Sequence, residues 1–509
     1  MKKKYSLGLI ISLLLVFSTA CTSQQSQGNE KKKELTFLSN FPSETLDPHL
    51  NFTPVRAGIS ETLIKVDENQ ELEPWLAESW ESKDNGSTWV MKIKEGIHFQ
   101  NGKKVDAEAV KDSLQRNIEV SEAMKASLKI KSMEADKQIL TIITEKPLPQ
   151  FPSELVHPNT AIIDSKAENI EEKPVGTGPF KIQSFDANSS LKLQKNSNYW
   201  DGNVKLDQVT MMFNEDANAR TAALQSGDAD ISYRPALESM EALKKDPAIK
   251  TDFVTSLRDQ FLLYNFKNEL LQDPNVRKAF DVLLDRNEVA QKTLAGQASP
   301  AEGPFVPDSL FSPEYAKKEF SIRSAKSYLS KAGIDMKDGK AFNDGKPLSL
   351  KVLTYSYRPE LPLMAQLLQA NAKELGLDIE IQTAENIDEY MAEKDDWDIA
   401  TYSMISDPRG DAAYFFNAVY MPGGAMNHSN LQNKELTKAI EKLNETVDKA
   451  ERAKLAKEAS AIIDKETLHS FIVHPKNFVA YKDDVLNWET SKSEYYMITK
   501  DLDVKTKNQ

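Results

Sequence analysis

The pattern of apolar and polar residues along the chain predicts strands and helices in mixed order. After a turn rich in proline and glycine at positions 174–179, Phe180 and Ile182 alternate with polar residues, and so do Leu191 and Leu193 beyond a polar loop. This alternation predicts a half-buried β-hairpin.

A strand–helix–strand unit follows the hairpin. Residues 209–213 and 231–233 have the composition of strands, and residues 217–225 between them form a helical pattern that ends before Gly227. Because such a crossover is almost always right-handed and joins parallel strands, the unit predicts a parallel sheet.

Similar patterns predict the rest of the secondary structure. Two amphipathic helices follow residue 433, with Leu436, Ile440, Leu443 and Val447 on one face of the first and Leu455, Ala459 and Ile462 on one face of the second. The other predicted elements are strands at 35–38, 89–93, 139–144, 262–266, 350–353, 377–381, 397–400 and 471–481, and helices at 56–64, 107–117, 275–284, 324–331 and 364–375.

The hairpin sequence also carries a family resemblance. Gly176-Thr-Gly-Pro-Phe180 precedes the hairpin and Asn196-Ser-Asn-Tyr-Trp200 follows it. Both motifs, in this order, resemble those of the large extracytoplasmic solute-binding proteins that serve peptide and nickel ABC importers. A second block in the family's usual order agrees with them: Leu76-Ala-Glu-Ser-Trp80, Asn85-Gly-Ser-Thr-Trp89, Ile93-Lys-Glu-Gly-Ile-His-Phe-Gln-Asn-Gly102 and Val105-Asp-Ala-Glu-Ala-Val110.

The resemblance implies an α/β, two-lobed fold of the type II periplasmic-binding-protein kind, with an accessory α/β domain on the first lobe. A lobe that the chain leaves and re-enters gives two connecting strands and a cleft, where small ligands are expected. We place the first crossing just beyond Phe266. The predicted boundaries are 1–20 for a signal peptide, 21–33 for a lipidated cysteine and tether, 34–65, 175–265 and 482–509 for the first lobe, 66–174 for the accessory domain and 266–481 for the second lobe.

The N-terminus predicts export and lipidation. Three lysines at 2–4 precede an apolar run at 7–17, and Ser18-Thr-Ala precede Cys21, the only cysteine. This is the pattern of a secretory signal peptide, and the run is too short to span a membrane at about 1.5 Å per residue. We therefore predict a lipoprotein anchored through Cys21 to the extracytoplasmic face of a bacterial membrane.

Charge and motifs exclude other functions. The net charge of −13 argues against a nucleic-acid partner, because binding phosphates needs a basic face. The sequence contains neither His-Glu-x-x-His nor Gly-x-Ser-x-Gly, and Pro347 stands where a phosphate loop needs a hydroxyl. We therefore predict a binding protein rather than an enzyme.

The candidate ligand contacts follow predicted strands. Tyr402, Asp407 and Arg409 lie in a polar stretch after the strand at 397–400, and Arg234 follows the strand at 231–233. Strand ends of this kind face the crevice of an α/β lobe. There, the arginines can bind the carboxylates of a ligand, and Asp407 can bind an ammonium group. The alternatives are a solvated loop with an internal Asp407–Arg409 pair, and a surface arginine at 234. The tripeptide Arg409-Gly-Asp also occurs in integrin ligands, so an adhesive role is a further alternative.

The ligand predicted from these residues is an anionic nickel chelate, such as nickel held by free histidine, captured for an ABC permease by a monomer. His474, on the strand at 471–481, is the candidate metal ligand, although a lone histidine is more often structural. Imidazole suits Ni²⁺, and no cofactor is predicted beyond nickel as part of the ligand. His157-Pro158 stands where some nickel-chelate binders of the family carry Arg-Pro. This difference predicts that the protein does not hold its ligand in the way those binders do. The alternative ligand is an oligopeptide whose amino terminus binds Asp407.

Overall fold

The structure is a computed structural model that describes residues 32–358 and 360–505. The predicted signal peptide, Cys21 and most of the tether lie outside the described residues. In the described part of the chain, no helix has the length and apolar character that a membrane span requires.

A twelve-stranded sheet runs through the molecule. Glu34–Ser39 pairs in parallel with both Gln208–Phe213 and Ile231–Tyr233, which confirms the parallel sheet predicted from the strand–helix–strand unit. The ten strands of its main path are, in spatial order, Asp378–Ala384, Ser349–Tyr355, Ile399–Ile405, Arg258–Tyr264, His469–Lys482, Ile231–Tyr233, Glu34–Ser39, Gln208–Phe213, Ser190–Lys195 and Phe180–Asp186.

The long strand His469–Lys482 joins the two halves of this sheet. Its first half pairs with Arg258–Tyr264, and its second half pairs with Ile249–Thr255. Ala298–Pro300 pairs with the same strand near its middle. Because Ile249–Thr255 leads into Arg258–Tyr264 through only Ser256 and Leu257, the chain passes between the halves at two adjacent places.

Each half of the sheet has its own apolar core. One cluster surrounds Phe37, Phe180 and Tyr233, and a larger one surrounds Phe261, Trp397 and Phe416. Helices cover the sheet because their apolar faces need burial. The helices of seven or more residues are Ala107–Val120, Glu122–Leu128, Ala217–Ser226, Pro274–Asp281, Ile322–Lys331, Glu360–Lys373, Ile387–Glu393, Ala413–Val419, Lys434–Glu445 and Lys449–Lys465.

A four-stranded antiparallel sheet lies within the predicted accessory region. Its strands are Ala77–Lys83, Thr88–Ile93, Ile139–Thr144 and Ile130–Asp136, in that spatial order. With the helix Ala107–Val120 they enclose a third core around Trp89, Phe151 and Ile142.

The motifs around the hairpin have a structural role. Gly176 and Gly178 pack directly on the backbone of residues 58–60, and a Cβ on Gly178 would lie 2.3 Å from the carbonyl oxygen of Gly58. Tyr199 and Trp200 donate hydrogen bonds of 2.5 and 2.8 Å to the buried carboxylate of Glu61. The hairpin itself, Phe180–Asp186 with Ser190–Lys195, is confirmed.

Three local predictions are wrong. Val447, predicted on one face of the first amphipathic helix, lies beyond the end of Lys434–Glu445 and is 40% exposed. The helix predicted at 56–64 is the short helix Thr53–Arg56, because Gly58 adopts a φ of 66° that ends the helical path. The stretch predicted as a loop from Tyr402 onward begins later, since the strand Ile399–Ile405 includes Tyr402. Its polar residues extend the strand because they pair with Arg258–Tyr264.

Candidate functional site

Two neighbouring cavities open where strands from both halves of the sheet end. The larger has a volume of about 760 Å³ and the smaller about 380 Å³. Phe41, Tyr357 and Arg358 line both cavities. Phe41 follows the strand Glu34–Ser39, and Tyr357 and Arg358 follow Ser349–Tyr355, so the cavities lie at the carboxyl ends of parallel strands, where α/β folds bind ligands.

Arginines from four separate segments surround this cleft. Arg234 lines the larger cavity, Arg56 and Arg258 line the smaller one, and Arg358 lines both. Two buried carboxylates lie among them: Glu360 in the wall of the larger cavity and Glu494 in the wall of the smaller one. These four arginines outnumber the two buried carboxylates.

The two carboxylates contact arginines at different distances. Nη2 of Arg234 lies 3.6 Å from Oε1 of Glu360, and Nη2 of Arg258 lies 4.0 Å from Oε2 of Glu494. Burial alone would raise the pKa of Glu494, but the surrounding arginines outweigh it and hold that pKa below its ordinary value. Glu494 is therefore ionised at neutral pH.

Of the four arginines that line the cleft, Arg358 has the fewest partners in the described structure. It is 8% exposed, and within residues 32–358 and 360–505 its guanidinium makes no hydrogen bond and no ion pair closer than 4.0 Å. Burial, together with Arg258 and Arg234, lowers the pKa of Arg358 to about 10. It is still protonated at neutral pH, so a buried positive charge faces both cavities.

Arg234 is held by its backbone. Its φ of 51° lies in the left-handed region, its N–H donates to the carbonyl oxygen of Phe478 at 2.9 Å, and its own carbonyl accepts from Arg220 at 2.6 Å. A strained backbone fixed by hydrogen bonds sets the direction of the side chain. Arg234 thus lies at the strand end that the sequence predicted.

Arg409 does not line either cavity in the described structure. It is buried, forms an ion pair with Glu154 of the accessory region, and lies 4.2 Å over the ring of Tyr414. Ser127 also donates to Glu154. Asp407 and Arg409, which could have paired with each other, have different partners in the structure. Asp407 accepts a hydrogen bond of 2.9 Å from Ser309.

Tyr402, Asp407 and His474 are likewise buried outside the walls of the two cavities. Tyr402 donates a 2.5 Å hydrogen bond to Asp388. Nδ1 of His474 lies 2.7 Å from Oδ1 of Asp259. Asp407 borders a separate cavity of about 90 Å³, and burial raises its pKa to about 6. In the described residues, no cluster of three or more histidine, cysteine, aspartate or glutamate side chains could hold a metal ion.

His157 lies beside Arg409 rather than in the cleft. Phe52 packs edge-on against its ring at 5.2 Å, and its Nδ1 accepts from the N–H of Asn159 at 3.1 Å. Burial and the charge of Arg409 hold the pKa of His157 well below its ordinary value, so it is neutral.

The sequence did not single out Arg56, Arg258, Arg358 and Glu494. They come from four segments far apart in the chain, so no local spacing connects them. One signal was available for Arg358, because Tyr357-Arg-Pro at the end of the strand Ser349–Tyr355 repeats the arrangement of Tyr233-Arg-Pro at the end of Ile231–Tyr233.

Comparison with known proteins agrees with this architecture. Residues 71–427 match the model of the bacterial extracellular solute-binding proteins, family 5. The chain is 32% identical to the nickel-binding protein NikA of Staphylococcus aureus over 97% of both chains. It therefore belongs to the family 5 bacterial extracellular solute-binding proteins.

Two solved structures extend the likeness. A nickel ABC transporter protein from Bacillus halodurans superposes with a TM-score of 0.83 at 49% identity, covering 93% of this chain and 100% of that one. NikA from Staphylococcus aureus in complex with Ni(L-His)2 superposes with a TM-score of 0.80 at 31% identity, with the same coverage. The two-lobed α/β fold predicted from the sequence is confirmed.

Proposed function

We propose that this protein captures a nickel chelate, such as nickel with free histidine, in the arginine-lined cleft and delivers it to an ABC permease. The observation that carries the proposal is the buried guanidinium of Arg358, which faces both cavities and forms no hydrogen bond or ion pair with any residue that the structure describes. An arginine in this state is stabilised by a carboxylate, which it can bind through two parallel hydrogen bonds. The name of the Staphylococcus aureus relative and its Ni(L-His)2 complex support this choice of ligand.

A chelate suits the cleft better than the bare ion. Nickel binds well to imidazole, but among the described residues no histidine lines either cavity. A chelator that supplies the nickel ligands leaves the arginines to bind its carboxylates. Of the residues predicted from sequence, we propose Arg234 as a direct contact, and Tyr402, Asp407, Arg409 and His474 as residues that hold the walls of the cleft.

We further propose that two chain passages form the hinge between the lobes. The strand pairings support crossings at Ser256–Leu257 and near His474–Lys476. The first of these lies before the strand Arg258–Tyr264, earlier than the crossing beyond Phe266 expected from sequence. Residues of both lobes then line the cleft, so the ligand favours the closed state by binding both.

We propose, from the N-terminal sequence, that Cys21 carries a lipid and anchors a monomeric binding protein at the extracytoplasmic face of the membrane. The cleft acts by binding alone, without covalent chemistry. Fractionation of cells that express Cys21→Ala tests the anchor, because equal membrane retention of variant and parent would contradict lipidation.

Calorimetry with nickel alone, histidine alone and their mixture tests the ligand. We expect the mixture to bind far more tightly than either component. Arg358→Ala should weaken binding by about 1.5–3 kcal/mol, the range for a charge-assisted hydrogen bond, which is roughly ten- to a hundredfold in Kd. Arg323→Ala, an exposed arginine on the helix Ile322–Lys331, is the matched control and should leave Kd unchanged.

Equal affinity for bare nickel would contradict the chelate model. Absence of binding to all three solutions, together with tight binding of a short peptide, would assign the cleft to peptides instead.

A further inference from the structure

The acidic residue in the wall of the larger cavity occupies an unusual position. Glu360 is 5% exposed and is the first residue of the helix Glu360–Lys373. The amide nitrogen of Gln260 donates a 2.6 Å hydrogen bond to its Oε1, which fixes the carboxylate on one side. The same oxygen lies 3.6 Å from Nη2 of Arg234.

The separation of 3.6 Å makes this an ion pair without a hydrogen bond, since protein N–H···O bonds have donor–acceptor distances of about 2.7–3.2 Å. Glu360 therefore neutralises part of the charge of Arg234 while leaving its N–H groups available to a ligand. Arg234 comes from the end of the strand Ile231–Tyr233, whereas Glu360 follows Ser349–Tyr355 in the other half of the sheet. The pair spans the cleft.

Glu494 cannot serve the same purpose at the larger cavity. It lines only the smaller one, where Arg258 lies 4.0 Å away and Arg56 donates a 3.1 Å hydrogen bond to its main-chain oxygen. Of the carboxylates that line the larger cavity, Glu360 is buried, whereas Glu215, Asp216 and Glu238 are exposed. Buried charges act over several ångströms because little water screens them.

We propose that Glu360 is a specificity-determining residue that sets the net charge of the chelate the cleft accepts. Its carboxylate repels the negative charge of a ligand bound at Arg234 and Arg358, so the cleft discriminates against strongly anionic chelates and accepts those of low net charge. This inference rests on the proposed function, because it concerns the same cleft and the same class of ligand.

The test compares two nickel complexes of different charge. The bis-histidine complex is neutral, and the complex with EDTA is a dianion. The quantity measured by calorimetry is the ratio of the two dissociation constants in the parent and in Glu360→Gln. Gln keeps the shape of the side chain and can still accept the hydrogen bond from Gln260. We expect the ratio to shift about tenfold in favour of the nickel–EDTA complex, as estimated for removal of one poorly screened charge.

Glu215→Gln is the matched control. It removes the same charge from the wall of the same cavity, but from an exposed position where water screens it. We expect the ratio to change less than twofold. Glu360→Ala, as a second variant, should shift the ratio in the same direction as Glu360→Gln.

The outcomes separate the two proposals. An unchanged ratio in both Glu360 variants, or equal weakening of both complexes, would overturn the role of Glu360 while leaving nickel–chelate binding by the parent intact. An equal shift of the ratio in Glu215→Gln would also overturn the role of Glu360. Removing any negative charge from the cavity wall would then have the same effect on the ratio. Failure of the parent to bind either complex would overturn the proposed function, and the role of Glu360 with it.

Discussion

Arg358 and Arg409 are both more than nine-tenths buried, yet their surroundings assign them different roles. Arg409 has a carboxylate partner in Glu154 and an aromatic ring beneath it. The guanidinium of Arg358 forms no hydrogen bond or ion pair with the described residues, and it lines both cavities. A buried charge that lacks a partner is costly, so the partner of Arg358 is best supplied by a ligand.

Replacing Arg409 should therefore affect folding more than binding. In Arg409→Ala the carboxylate of Glu154 stays buried without its cation, which typically costs about 3–5 kcal/mol of unfolding free energy. Chemical denaturation of Arg409→Ala, Glu154→Gln and the double variant checks this. We expect the double variant to be more stable than Arg409→Ala, because the unpaired charge is gone. A stable Arg409→Ala that fails to bind ligand would instead make Arg409 a direct contact.

The carboxyl of Asp407 should make stability depend on pH. Burial raises its pKa to about 6, although the hydrogen bond from Ser309 and the charges of His474 and Lys492 oppose that shift. A folded-state pKa above the unfolded value of about 3.9 means that the folded protein holds the proton more tightly, so this group lowers stability as the pH rises from about 4 through about 6.

Asp407→Asn removes that cost. At pH 7.5 we expect the variant to be more stable than the parent by up to about 3 kcal/mol, and at pH 4.5 by only about 1 kcal/mol, because the carboxyl of the folded parent is then still mostly protonated. Denaturation curves at both values give the comparison. A difference that does not vary with pH would show that the charge of Asp407 is already compensated in the folded protein.

At the scale of elements, local sequence patterns predicted most strands and helices but not the contacts between them. The alternation around Phe180 and Leu191 is enough to predict a hairpin, since period-two burial is a local property. The partner of Tyr199 and Trp200 is not local, because Glu61 lies 138 residues before Tyr199. Arg56, Arg258 and Arg358 were missed for the same reason. The helix predicted at 56–64 failed because tertiary packing bends the chain at Gly58.

The packing of the hairpin turn gives a test at this scale. In Gly178→Ala the new Cβ would meet the backbone of Gly58 at 2.3 Å, and a backbone atom cannot rotate away. Overpacking of this kind costs typically about 1–3 kcal/mol. Gly202→Ala is a suitable control, because its Cβ meets nothing within 4 Å and only its φ of 99° is unfavourable. If thermal melting places Gly178→Ala at or above the control, the close approach does not constrain the turn.

At the scale of the whole molecule, the connection between the two halves of the sheet is narrow. The strands Ile249–Thr255 and Arg258–Tyr264 are separated by two residues, and both pair with the single strand His469–Lys482. If these two passages form the proposed hinge, few backbone torsions need to change for the halves to move relative to each other. A ligand that contacts Arg234 on one side and Arg358 on the other would hold both halves together.

This linkage gives a prediction for the intact protein. A ligand that binds only the folded state adds RT ln(1 + [L]/Kd) to its stability, which is about 2.7 kcal/mol at a hundredfold excess over Kd and about 4.1 at a thousandfold excess. The melting temperature should therefore rise steadily with the logarithm of the nickel–histidine concentration, and the complex should be recovered unchanged after incubation. Differential scanning calorimetry, followed by mass spectrometry of the recovered ligand, measures both quantities.

Arg358→Ala should need a roughly ten- to a hundredfold higher ligand concentration for the same rise in melting temperature, matching its loss of affinity. Chemical conversion of the ligand by the pure protein would contradict a purely binding role, and a rise that Arg358→Ala leaves intact would place the ligand outside the arginine cleft.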